Sequence, residues 1–215
     1  MLLQDKICVI TGGGSMRGIG RATARIFAQH GATVAILDLD GSLAIEAAQE
    51  LGEAHFGATA NVADAESVNP AIAAVLKKFG RIDVLVNNAG ITQPVKTLDI
   101  GPKDYDRVLD VSLRGTLIMS QAVIPSMREN GGGSIVCMSS VSAQRGGGIF
   151  GGPHYSAAKA GVLGLGKAMA REFGPDGIRV NSIAPGLIET DITSGKGVDI
   201  PLQDGDVVTV PESLF

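Results

Sequence analysis

The chain has 215 residues, a formal charge of −4 and no run of lysines and arginines. That length suits one domain with a sizeable core, and that charge balance excludes nucleic acid and anionic membrane surfaces as partners. Aromatics at 4%, the absence of Trp and the abundance of Gly, Ala, Val and Ile point to a tightly packed α/β protein.

In chain order, the run 7–11 reads as a strand, followed by a glycine-rich stretch and a helix over 18–30. A strand at 33–39, a helix at 41–51 and a strand at 55–62 come next. Asp64 is placed to cap a helix over 64–79, with Ser67 standing where Glu would cap more strongly. Then follow a strand at 82–88, a long helix at 103–129, a strand at 133–140, a helix at 154–173 and a strand at 178–185. Most strands are unbroken apolar runs, so both faces are covered. The alternation predicts a doubly wound parallel sheet in a three-layer α/β/α Rossmann arrangement, with ligands beyond the carboxyl ends of the strands. The regular pattern fills 1–193, and 194–215 read as an atypical tail of two short strands around a turn. Cys8 and Cys137 lie inside apolar runs and are expected as reduced core residues. No run is long enough for a signal peptide or a membrane span, so a cytoplasmic protein is expected. No metal site is expected.

The stretch "TGGGSMRGIG" (11–20) lies between a strand and a helix, where unpaired helix N–H groups attract a pyrophosphate and β-carbons would obstruct it. On its own the motif leaves a plain flexible loop as the lesser alternative. Asp38 ends the second strand, where a carboxylate grips ribose hydroxyls and repels a 2′-phosphate. It favours NAD over NADP, whereas Arg17 could meet that phosphate. Asp38 could equally be a turn residue beside Asp40-Gly41.

"YSAAK" (155–159) puts Tyr155 and Lys159 on one helical face. A phenol titrates near 10, and a neighbouring ammonium lowers that value toward a working proton shuttle. A surface helix pair is the plain alternative. "SSVS" (139–142) ends a strand, where a hydroxyl can bond a substrate carbonyl or merely close a turn.

Taken together in this order, with "NNAG" (87–90) and "APGLIETDIT" (184–193), these motifs resemble the short-chain dehydrogenases/reductases over residues 5 to 193. "NNAGIT" and "PGLIETDIT" look most like the 3-oxoacyl-[acyl-carrier-protein] reductase branch, which includes many sugar, polyol and steroid dehydrogenases. The resemblance implies that Tyr155 is the acid/base, Lys159 the ribose-holding cation and Ser140 the residue orienting the substrate carbonyl. It implies cofactor contacts at Gly12, Gly18, Ile19, Gly20, Asn61, Val62, Asn87, Ala89, Gly90, Pro185, Gly186, Ile188 and Thr190, with Arg17 and Asp38 at the ribose end. NAD is the expected cofactor and a small alcohol or ketone the expected substrate. Relatives form dimers through two long helices, here 103–129 and 154–173, so a homodimer is expected and a tetramer is not.

Three departures stand out. The glycine loop is two residues longer than the usual form, and Ser112 stands where relatives carry a catalytic Asn, too short to hold the relay water. The family's lid, last helix and last strand have no counterpart in 194–215. Hydride transfer is the leading function. A dinucleotide-binding module with little turnover stays open beside it, as does a fusion that folds poorly.

Overall fold

The computed structural model describes residues 1–147 and 150–191. Strands β1 (Ile7–Thr11), β2 (Thr33–Asp38), β3 (Phe56–Thr59), β4 (Val84–Asn87), β5 (Gly133–Met138) and β6 (Ile178–Ile183) form one six-stranded sheet in the order β3-β2-β1-β4-β5-β6. Every pairing is parallel. The expected doubly wound architecture is therefore present, and its order reverses between β1 and β4, where a crevice opens beyond the carboxyl ends.

Alternate residues of one strand feed two cores. Val9 faces a core built with α3 (Ala65–Phe79), α5 (Gly115–Glu129) and α7 (Pro153–Phe173) through Val75, Val123 and Val162. Cys8 and Ile10 face the other, with Ala24 of α1 (Ile19–Gln29) and Ala44 and Ala47 of α2 (Gly41–Leu51). Both cysteines are buried and free, as expected, and burial pushes the Cys8 thiol up to about 12 and the Cys137 thiol up to about 11. Among the described residues no helix is long and apolar enough to cross a membrane.

Several boundaries differ from expectation for local reasons. The strand expected over 55–62 stops at Thr59, because Asn61 N–H turns to Ser67 Oγ at 2.9 Å and Asn61 Oδ1 accepts from Ala63 N–H at 3.2 Å. Ser67 thus closes that turn instead of weakly boxing the helix, while Asp64 caps α3 by accepting from Glu66 N–H at 2.9 Å. The long helix expected over 103–129 runs as α4 (Pro102–Leu109), a π turn over Asp110–Arg114, and α5. A four-residue helix, α6 (Ser142–Arg145), stands where no element was expected. The expected 194–215 tail and the segment around Thr193 lie outside the described residues.

Candidate active site

The glycine loop is sewn to the turn after β4. Asn88 Nδ2 donates to Thr11 O and Gly12 O, both at 2.9 Å, and Thr11 Oγ1 accepts from Asn88 N–H and Ala89 N–H, both at 3.0 Å. Gly12 has φ +67°, and a Cβ there would lie 2.8 Å from Ala89 Cα; a Cβ on Gly20 would lie 2.6 Å from Asn88 Nδ2 and from Gly12 O. The loop's own packing thus demands glycine at these two positions, beside any demand made by an approaching pyrophosphate. Asn87 is buried and donates to Ser120 Oγ at 3.1 Å, so it braces the interior while its neighbour holds the loop. Val62 packs against the open face of Gly115, and the turn ends with Gly90 beside Lys159 Nζ.

Helix α1 begins at this loop with Gly18 extended, no side-chain cap and no acidic residue in its first turn. Its first N–H groups and positive pole are left for an anion, so the site fits the pyrophosphate of a dinucleotide. Asp38 Oδ2 accepts from Gly14 N–H at 2.8 Å and Asp38 Oδ1 from Asp40 N–H at 3.2 Å. It is thus both a turn residue and a brace for the glycine loop. Arg17 is turned to Glu189, 2.6 Å away, on the far side of the loop. The loop is also held by Arg21, which no motif signals. Its buried guanidinium donates to Gly14 O at 3.1 Å and pairs with Glu50 at 2.7 Å.

At the other end of the crevice β5 delivers Ser139 and Ser140, and α7 delivers Tyr155 and Lys159. Ser139 Oγ donates to Lys159 O at 2.8 Å, which docks α7 onto the strand end. Lys159 is 4% exposed. Its Nζ donates to Met138 O at 2.7 Å and lies 5.8 Å from the Tyr155 ring centroid. Burial lowers the Lys159 pKa from 10.5 to about 8. Burial also pushes the Tyr155 phenol up, opposed by a hydrogen bond with the Ser140 side chain. The lowering expected from the ammonium is outweighed here: burial is the largest influence on the phenol, and Lys159 Nζ lies against the Met138 carbonyl. Ser112 sits inside the π turn with its Oγ buried and without a hydrogen-bond partner, facing the same side of Gly90 as Lys159 Nζ. A π turn adds one residue per turn and re-aims the side chains it carries.

His154 is buried, with Nε2 3.2 Å from Gln93 Oε1, and Gln93 Nε2 donates to Asp104 Oδ1 at 3.2 Å. With Gly152 N–H on Gln93 O at 2.8 Å, this fastens the start of α7 to the loop after β4. Beyond β6, Val141 N–H donates to Pro185 O at 2.9 Å, Gly186 has open space around it, Ile188 is exposed and Thr190 is 8% exposed. Ser15 Oγ and Arg17 N–H both donate to Asp191 Oδ2, at 2.6 and 3.1 Å.

A family model described as enoyl-(acyl carrier protein) reductase matches residues 12–205. An uncharacterized short-chain type dehydrogenase/reductase, y4mP, of Sinorhizobium fredii is 63% identical over 200 residues, spanning 91% of this chain and 79% of that protein. The chain belongs to the short-chain dehydrogenase/reductase family. Within this oxidoreductase family, a 3-oxoacyl-[acyl-carrier-protein] reductase of Thermotoga maritima is 43% identical over 200 residues, covering 90% of this chain and 78% of its own length. The crystal structure of a 3-ketoacyl-(acyl-carrier-protein) reductase from Brucella melitensis complexed with NADH superposes with a TM-score of 0.84 at 36% identity, covering 88% of this chain and 79% of that one.

Proposed function

We propose that this chain is an NAD-dependent oxidoreductase acting on a secondary alcohol or ketone, with Tyr155 as the acid/base and NADP a poorer cofactor. One observation carries the reading. The Ser140 side chain stands by the Tyr155 phenol and draws its pKa down against burial, and the Lys159 ammonium stands one helical turn away with no carboxylate paired to it among the described residues. The NADH in the Brucella relative and the carboxylate of Asp38 support NAD.

A nicotinamide bound here supplies or takes the hydride. The protein's part is to place and protonate. α1's bare N-terminus and the loop amides hold the diphosphate, and Asp38 turns a carboxylate toward the ribose end. Ser140 donates to the substrate oxygen and fixes its position. A phenol kept neutral by burial is loaded for the reductive direction: Tyr155 gives its proton to the carbonyl oxygen as the carbon gains hydride. In the oxidative direction the same oxygen takes the alcohol proton. The Lys159 charge favours the phenolate, which is left behind by reduction and is the form that accepts the alcohol proton in oxidation. Asn61, Val62, Asn87, Ala89, Gly90, Pro185, Gly186, Ile188 and Thr190 line or support the dinucleotide. A second copy of the chain is the proposed macromolecular partner, docked through α4, α5 and α7.

Tyr155→Phe tests the reading with a panel of ketones and secondary alcohols, followed by NADH absorbance. Turnover falls by about 10²–10⁴ while NADH binding persists. Unchanged turnover would refute the assignment.

A further inference from the structure

The lengthened glycine loop reaches across the molecule to a segment more than 170 positions away. Ser15 Oγ and Arg17 N–H meet Asp191 Oδ2, and Arg17 Nη2 meets Glu189 Oε1 at 2.6 Å. The sheet order shows what this contact spans. β6 lies three strands from β1, about 14 Å at the usual strand spacing. The segment 184–191 starts at the end of β6, where Ser139 N–H holds Ile183 O at 2.7 Å and Val141 N–H holds Pro185 O. It then crosses the carboxyl ends of β5 and β4 to reach the loop after β1. Within this strap Thr190 is buried at 8% exposure, and the Glu189 side chain is 80% exposed.

Asp38 ends β2 on one side of β1, and Ser140 and Tyr155 lie at the end of β5 on the other. A dinucleotide joining those two points passes under the place where strap and loop meet. We infer that Ser15 and Arg17, with Glu189 and Asp191, form a clasp over the crevice that retains bound dinucleotide, and that the extra length of the loop exists to supply it. The inference rests on the dinucleotide reading above. An exposed ion pair alone would hold little. Here one carboxylate receives a hydroxyl and a backbone N–H together, and the second pair is anchored two residues away, so the contacts act as one unit. Ser15 and Arg17 also lower the pKa of the Asp191 carboxyl by hydrogen bonding to it.

The test compares wild type, Ser15→Ala, Asp191→Asn and the double variant. NADH release is measured by stopped-flow displacement, and amide hydrogen exchange is followed over 184–191 in the free protein. Each single variant releases NADH about three- to tenfold faster, and the double variant is no faster than the quicker single one, because all remove the same contact. Exchange over 184–191 rises in Asp191→Asn without any cofactor. Unchanged release and exchange with NADH binding intact overturn the clasp alone, as do effects that multiply in the double variant. Failure of wild type to bind NADH overturns the dinucleotide reading and retention with it.

Discussion

Lys159 makes folding and function pull in opposite directions, and Lys159→Met exposes the conflict. The ammonium is 4% exposed, donates among the described residues to the Met138 carbonyl alone, at 2.7 Å, and titrates near 8 instead of 10.5. At about 1.4 kcal/mol per pH unit, the charge costs the fold about 3 kcal/mol at neutral pH. Met keeps most of the stem volume and removes the charge, but leaves the carbonyl without its donor, a loss of about 1 kcal/mol. The variant should be more stable by about 2 kcal/mol, which is about 4–8 °C in melting temperature for a chain of this size. The pH dependence has a definite sign. A cation with a depressed pKa penalises the fold fully below about pH 8, and the penalty fades as pH rises toward 10.5. Urea unfolding should therefore show the advantage shrinking by about 2 kcal/mol between pH 7 and pH 9.5. Cys8, neutral in the fold and ionised when unfolded above pH 9, destabilises both proteins alike, whereas Cys137, whose thiol the Lys159 charge draws down, is replaced by Ala in both proteins so that only the Lys159 difference is read. NADH binding should weaken in the same variant. A variant less stable than wild type at pH 7, or an advantage indifferent to pH, would refute the reasoning.

Asp38→Asn removes the carboxylate at the ribose end while keeping an acceptor for Gly14 N–H. NADH affinity should drop about tenfold and the preference over NADPH should narrow, both measurable by fluorescence titration. Ser112→Ala deletes a buried hydroxyl that has no partner, so chemical denaturation should show unchanged or up to about 1 kcal/mol greater stability; a larger loss would mean that the hydroxyl is bonded. Gly57→Ala should destabilise by about 1–3 kcal/mol, because a Cβ there would lie 2.3 Å from Ala44 O and push α2 off β3. Wild-type stability in that variant would show that the helix yields freely.

The order of strands and helices was legible in the residues themselves. A parallel sheet covered on both faces needs short unbroken apolar runs, and helices between them need a longer period, so Ile7–Thr11 and Gly41–Leu51 announce themselves locally. Tyr155 and Lys159 could be paired on paper because helical spacing alone brings them to one face. What local pattern cannot carry is the state of groups whose surroundings come from elsewhere in the chain. That burial would outweigh the ammonium at Tyr155 depends on how α7 seats on β5. The π turn that aims Ser112 inward looks like ordinary helix in the residues, since i→i+4 and i→i+5 bonding draw on the same side chains. The duty of Asn88, Arg21 and the extra loop residues was equally invisible. Asn88 and Ser15 bond residues 77 and 176 positions away and Arg21 pairs with Glu50 on a neighbouring helix, and only the winding of the sheet brings β1, the turn after β4 and the strap beyond β6 to one edge.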